Sequence, residues 1–491
     1  MGKKITVIGA GFGGLATASV LAKEGFDVQV IEKNDKAGGR ANLWQKDGFT
    51  FDMGPSWYWM PEVFEDFYQL FGYQASDFYE LKRLSPAYRV FFSQDDYKDI
   101  PAEMEALEAL FEKMEKGSSK ALRDFLAQAA YKYEVGMRDY VFRPSHSITE
   151  FFDPRLLVQA FKIQMFQSMR KHVYSYFENE QIRKLLEFPV LFLGATPQET
   201  PALYSMMNHA DLKLGTWYPM NGMYEIVRVM QKIAEEQGVR FHFNEAVESF
   251  DIKNKKVVGL KGAKGTYFET DFVVNNADYQ HIDQKVLPEA YRQYSPAYWE
   301  KRTMSPSSLL FYVGIDRKVP NLKHHTLFFD EDFDAHAHDI YHDVKWPENP
   351  LFYVCAPSVT DPTVAPEGKE NLFFLMPLGP GLKDDEEKRA VYFDMMVDRF
   401  EKAMDCKIKD AICLKRGFAM KDFEQTYNAF KGNAYGLANT LQQTAILKPK
   451  MKSTKLGNLL HTGQLTVPGP GVPPSIISGR VAAAEVAKHF N

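Results

Sequence analysis

The first 32 residues restrict the fold more than any other part of the chain. Ile5-Thr6-Val7-Ile8 is a short apolar run that ends in Gly9-Ala10-Gly11-Phe12-Gly13-Gly14. Leu15, Ala18, Leu21 and Ala22 then recur at helical spacing until Gly25. Val28-Gln29-Val30-Ile31 reads as a second strand, closed by Glu32. Strand, glycine turn, helix and strand in that order predict a parallel α/β sheet with a right-handed crossover. Gly9, Gly11 and Gly14 fit G-x-G-x-x-G. The first allows a tight turn, the second lets a pyrophosphate approach the backbone, and the third lets helix and strand pack closely. Phosphate oxygens then sit at the positive end of the helix. Glu32 falls where a ribose-binding carboxylate is needed, roughly 20 residues on, and its charge disfavours a 2′-phosphate.

A second glycine turn follows Glu32-Lys33, at Gly38-Gly39-Arg40. A guanidinium at that place can neutralise a pyrophosphate already cradled by the first turn. Phe51-Asp52-Met53-Gly54-Pro55-Ser56 adds a turn of small residues, suited to a flat ring passing close to backbone. These two segments favour a flavin dinucleotide over NAD. The sequence holds no second strand–GxGxxG–helix unit that would form a separate NAD site.

Composition closes off other classes. The charge is mixed, 59 Lys+Arg against 64 Asp+Glu, which argues against a general nucleic-acid binder. Three cysteines, Cys355, Cys406 and Cys413, form neither a disulfide framework nor a CxxC zinc pattern. The longest apolar stretch, Leu185 to Leu193, is interrupted by Glu187 and Pro189 and is far shorter than the ~20 residues of a membrane span. Gly2 with Thr6 matches a myristoylation spacing, yet both lead straight into a strand that must be buried, and no signal-peptide pattern is seen. The expectation is a cytoplasmic chain, on a membrane face without crossing it.

Beyond residue 100 the character changes. Residues 101–204 read as long helices rich in Phe, Tyr and Met. Strand signals return at Val239 to Phe243, Val257 to Leu260, Phe272 to Ala277 and Leu309 to Gly314. The end is again α/β, with Gly457 to Gly463, a Pro/Gly turn and an Ala-rich helix from about Ser475. Two interleaved domains follow, one of them built from the first, middle and last pieces.

The set Glu32-Lys33, Gly38-Gly39-Arg40 and Phe51 to Ser56 resembles the flavin-dependent amine-oxidase and carotenoid-desaturase superfamily. Thr462-Gly463-Gln464-Leu465-Thr466-Val467-Pro468-Gly469-Pro470-Gly471-Val472-Pro473-Pro474-Ser475 is similar to carotenoid desaturases of the bacterial phytoene-desaturase type. Gly215 to Pro219, Gly222-Met223 and Gly432 to Gly436 look like that family too. The resemblance covers nearly the whole chain. It implies a Rossmann-like, two-dinucleotide-binding-type FAD domain over 1–90, 205–290 and 435–491. A mixed α+β substrate domain, with a helical segment facing a membrane, takes 91–204 and 291–434.

The same resemblance assigns residues to FAD. Gly9, Gly11 and Gly14 would hold the pyrophosphate, Glu32 with Lys33 the adenosine end, and Gly39 with Arg40 the phosphates. Gly54, Pro55 and Ser56 would lie near the flavin ring, and Val247 would meet the adenine edge through its backbone. Gly463 and Gln464 would pass the pyrophosphate or ribityl chain. The helix opening near Val472 and Ser475 would aim its dipole at the ring. The implied activity is desaturation of a linear carotenoid by hydride transfer, with oxygen or a membrane quinone as electron acceptor. Phytoene is the default substrate, and a 1-hydroxylated carotenoid desaturated at its 3,4 bond is the runner-up.

Other features divide between readings. His324, His325, His336, His338 and His342 are interleaved with Asp332, Asp334 and Asp339, which predicts a solvated segment and no metal site. Trp57, Tyr58 and Trp59, and Phe151, Phe152, Phe161, Phe166, Tyr174 and Tyr176, read first as core. Arg155, Lys162, Arg170, Lys171 and His172 beside them also fit a helix lying on an anionic membrane. No catalytic base is identified, although Arg138, Asp139 and Arg143 stand in the substrate domain. An amine oxidase on the same scaffold and a non-catalytic lipid-binding flavoprotein remain rivals, and no cysteine follows Cys413 for a C-terminal thioether link.

Overall fold

The computed structural model describes residues 2–147, 150, 167–440 and 442–491. A five-stranded, all-parallel sheet runs in the order Leu459–His461, Phe272–Asn275, Lys4–Ile8, Asp27–Ile31, Arg240–His242. The strands are short, and the central ones carry apolar runs at Val7-Ile8, Val30-Ile31 and Phe272-Val273-Val274 because both faces of a parallel sheet are covered. Ile5, Val7, Val30 and Val274 are fully buried. Helix Phe12–Lys23 lies along one face and crosses helix Val472–Phe490. The Thr17 hydroxyl donates to the Gly13 carbonyl and contacts the Gly479 carbonyl at 3.0 Å, which ties the first helix to the last. A small antiparallel sheet, Val247–Lys253, Lys256–Gly262 and Tyr267–Glu269, stands beside this layer.

The second sheet has seven strands, in the order Ile412–Phe418, Ser307–Ile315, Glu370–Leu378, Phe352–Cys355, His325–Phe328, Tyr88–Phe91, Tyr97–Ile100. It is antiparallel except where Tyr88–Phe91 pairs with His325–Phe328. Successive side chains point to opposite faces. Phe311, Val313, Leu372 and Phe374 pack under the amphipathic helix Glu386–Met404, against Phe393, Met396 and Phe400. Leu310, Phe373 and Leu375, one step out of phase, face the large cavity described below.

The strand Tyr88–Phe91 belongs to this sheet and straddles residue 90, where the sequence set a domain edge. Helices Met104–Met114, Ser118–Val135, Met169–Tyr174 and Glu180–Glu187 fill much of the predicted helical stretch. Phe151, Phe152, Arg155, Phe161, Lys162 and Phe166 lie outside the described residues. Among the rest of that basic face, Arg170 is held by Glu187 at 2.9 Å and Asp334 at 2.7 Å, and His172 is buried. No helix among the described residues is long and apolar enough to cross a membrane.

Candidate functional site

The glycine turn closes the first strand as its spacing predicts. Gly9 takes a φ of +92°, and its N–H donates to the Ile31 carbonyl at 2.8 Å. Helix Phe12–Lys23 starts from Gly11. A Cβ on Gly14 would lie 2.0 Å from the Gly9 carbonyl oxygen, so only glycine lets helix and strand approach this closely. Gly14 therefore packs behind the turn and is absent from the cavity lining, whereas Gly9, Gly11 and Gly13 line it.

Glu32 is 5% exposed. Its carboxylate accepts from the backbone N–H of Ala10 at 2.8 Å and of Asn34 at 2.9 Å. Burial raises its pKa, and the two N–H donors work against that rise. Lys33 reaches the mouth of the cavity, where its Nζ donates to the Gln425 carbonyl and to Asn428. The Arg40 guanidinium is half-buried, and its desolvation lowers its pKa, while Asp278 favours the charge. Nη2 donates to the Asn433 carbonyl at 3.3 Å and its Oδ1 at 3.4 Å, and the Tyr427 ring lies 5.8 Å away. With its amide oxygen facing Arg40, Gln464 accepts from Nη1 at 2.7 Å.

The carboxy-terminal pieces arrive at the same place. Gly463 donates its N–H to Ser478 Oγ at 3.0 Å. Helix Val472–Phe490 begins after Gly471, and Pro473 and Pro474 lack N–H groups. The Ser475 N–H donates to the Gly471 carbonyl, so Val472 carries the available donor of this first turn.

One cavity of about 500 Å³ joins these residues. Gly9, Gly11, Glu32, Lys33, Gly39, Arg40, Gly54, Pro55, Ser56, Val247, Gly463, Gln464, Val472 and Ser475 all line it, as does Glu245 just before the small sheet. The cavity then continues past Ser56 into an apolar compartment walled by Trp57, Trp59, Met137, Met206, Leu310 and Phe373. Trp57 and Trp59 thus face open space and are not simply core. Met137, Tyr140 and Val141 line it too, but Arg138, Asp139 and Arg143 do not. Arg138 pairs with Glu134 and Asp139, and Arg143 donates to the Asp139 carbonyl.

Sequence reasoning missed Asn276. Its Nδ2 donates to the Gly9 carbonyl at 3.3 Å, and a Cβ on Gly13 would lie 2.5 Å from its Oδ1. It follows directly after the strand Phe272–Asn275, at the carboxyl edge of a parallel sheet where ligands bind, and that position was the available signal. The prediction that the histidine-rich segment is solvated is corrected. His324, His325 and His336 are 5%, 0% and 3% exposed. His336 donates to or accepts from buried backbone at Pro377 and Leu351. Only His338 and His342 fit a solvated face.

Two helix N-termini, a buried carboxylate and a half-buried guanidinium around one elongated cavity define a dinucleotide-binding flavoprotein with an apolar compartment beside the ring site. FAD fits this donor set. The glycine turn leaves room for a pyrophosphate, Arg40 and the helix ends supply positive charge, and Glu32 accepts at the adenosine end. Residues 12–487 match the flavin containing amine oxidoreductase family, and the chain belongs to that family. FAD is its cofactor. The chain is 39% identical to a carotenoid 3,4-desaturase of Haloarcula japonica, over 98% of this chain and 97% of that one. It is 34% identical to a zeta-carotene-forming phytoene desaturase of Myxococcus xanthus, over 98% and 93%. The crystal structure of an oxidoreductase from Methanosarcina mazei shares the fold, with a TM-score of 0.63 at 17% identity over 97% of this chain and 99% of that chain.

Proposed function

We propose that this protein is an FAD-dependent desaturase that introduces C=C bonds into linear carotenoids. The observation that carries the reading is the continuity of the cavity, from the glycine turn and Arg40 to walls of Trp, Met, Leu and Phe. A hydrocarbon offers no heteroatom to polarise, so proton removal from it is unfavourable as a first step. Loss of hydride beside a conjugated system is easier, because the positive charge spreads along the polyene. Loss of the neighbouring proton then completes the double bond. Bound FAD supplies the hydride acceptor. The chain's own tasks are to align the substrate C–H bond, keep water out with the aromatic and Met walls, and present the positive helix end at Val472 to the ring.

The end of the substrate is the finer question. Asn439 lines the cavity, is 3% exposed, and its Oδ1 has no hydrogen-bond partner. Lys448, 2% exposed and also without a partner, stands next to it across Gly469, and burial brings its pKa down to about 7. Orphaned polar groups penalise an all-hydrocarbon ligand. They support a carotenoid with a hydroxyl group, and hence the 3,4-desaturation of a 1-hydroxylated carotenoid over phytoene. Because such substrates dissolve in lipid, the working location is the cytoplasmic face of a membrane, with oxygen or quinone taking the electrons.

The test uses the FAD-loaded protein in anaerobic liposomes with phytoene, lycopene or a 1-hydroxylated carotenoid. Bleaching of the flavin together with a new chromophore from the hydroxylated substrate is expected. Turnover of amines with no change in any carotenoid would reject the reading.

A further inference from the structure

A second, separate group of residues gathers behind the wall of the large cavity. Strands His325–Phe328 and Phe352–Cys355 are antiparallel, and their register sets His325 directly opposite Cys355. His324 precedes it, and its carbonyl accepts the Ala356 N–H at 2.8 Å. Ligand atoms of His324, His325 and Cys355 all lie within 4.8 Å of one another, and the three residues are 5%, 0% and 2% exposed.

Each ring is held by a hydrogen bond at its Nδ1. His324 Nδ1 lies 2.8 Å from Thr360 Oγ1, and His325 Nδ1 lies 2.6 Å from the Tyr353 hydroxyl. Tyr353 donates its own proton to Ser56 Oγ at 3.1 Å. The His325 Nδ1–H is therefore the donor to Tyr353, which leaves Nε2 with a bare lone pair. Nε2 of His324 and of His325 are both buried without any hydrogen-bond partner. A small void of about 20 Å³, room for one water or one ion, lies beside the group and is lined by His324, Cys355, Asp52, Met223 and Ser56, with His325 outside its lining.

We propose that His324, His325 and Cys355 bind one metal ion of the zinc or copper class. Two imidazoles and a thiolate suit borderline and soft ions and are poor ligands for magnesium or calcium. The outer hydrogen bonds to Thr360 and Tyr353 fix ring orientation in the way that metal-bound histidines need. Met223 adds a soft thioether to the same void. The ion clips the ends of two strands together. It also fixes Trp57, whose ring stacks on His325 at 4.1 Å and 10° and forms part of the substrate wall. This inference stands on its own residues and does not depend on the carotenoid reading.

The experiment is elemental analysis of the purified FAD-loaded enzyme, followed by titration of chelator-treated protein with Co²⁺. One zinc or copper ion per chain is expected, with a thiolate-to-cobalt charge-transfer band. Cys355→Ser should lose that band and His324→Gln should weaken Co²⁺ binding at least tenfold, whereas Cys413→Ser, at an exposed cysteine, keeps both. Wild-type protein with substoichiometric metal and no thiolate band overturns the proposal and leaves the void to water. Should the Cys355 variant fail to fold, the wild-type titration alone decides. Flavin absorbance and carotenoid turnover in the same samples report separately on the enzymatic reading.

Discussion

With the Gln464 amide turned so that its oxygen faces Arg40, Nη1 lies 2.7 Å from that oxygen, and this contact joins the second glycine turn to the carboxy-terminal strand–helix connection. The partners of Arg40 are neutral oxygens of Asn433 and Gln464, and no carboxylate among the described residues pairs with it within salt-bridge distance. Its charge is thus held by neutral hydrogen-bond partners, with the Asp278 carboxylate near enough to favour it but not paired with it.

Replacing this group tests the pyrophosphate role. Arg40→Met should weaken FAD binding by roughly 10- to 100-fold, the loss of one charge-assisted contact of about 1.5–3 kcal/mol. Equilibrium titration of apoprotein by flavin fluorescence measures it. Unchanged affinity would remove Arg40 from the binding set.

Gly14 and Gly457 make a paired test of backbone approach. Alanine at Gly14 places a Cβ 2.0 Å from the Gly9 carbonyl, but at Gly457 it meets nothing within 4 Å. Gly14→Ala should cost at least about 3 kcal/mol and yield colourless protein, while Gly457→Ala stays near wild type. Denaturant melts and bound-flavin absorbance distinguish the two.

Asp211 carries a pH signature. It accepts from the Tyr88 hydroxyl at 2.8 Å and the Thr216 hydroxyl at 3.1 Å, and burial pushes its pKa from 3.8 up to about 7. Between those values the native state holds a proton that the unfolded chain has released, so stability falls as pH rises from about 4 to 7. Asp52, raised by burial to about 6, adds to the same slope. Asp211→Asn mimics the neutral form. It should match wild type near pH 4 and exceed it above pH 7, and parallel melting curves for both proteins would refute the assignment.

The role proposed for Asn439 at the substrate end group has its own test. Asn439→Leu removes the orphaned amide, and kcat/KM for a hydroxylated carotenoid should drop relative to a hydrocarbon one by roughly 10- to 100-fold. An equal change for both substrates would show that Asn439 does not meet the hydroxyl.

The amino-terminal half of the site was legible because its signals are local. A turn, a helix start and a strand end within about 30 residues fix where Gly9, Glu32 and Arg40 must stand. Gly14 was read as both packing and phosphate residue, and only the packing role follows from its place behind the turn. The histidine segment misled for a different reason. Asp332 is exposed, but it accepts from the N–H groups of Asp334 and Ala335 and so caps a helix whose other face is buried. His336 then points inward on that helix, and His324 and His325 are buried by a strand register that depends on residues far along the chain. Asn276, Trp57 and Tyr353 were hidden likewise, because long-range packing, not local pattern, turns them toward the cavity.

The parallel sheet draws neighbouring strands from residues 4–8, 272–275 and 459–461. A nascent chain can form its glycine turn early, but the opposite bank of the groove is missing until residues 459–461 have been made. Cofactor capture therefore waits until strands from all three segments are present. Products of premature termination before residue 459 should be colourless and prone to clump, whatever the state of their amino-terminal fingerprint.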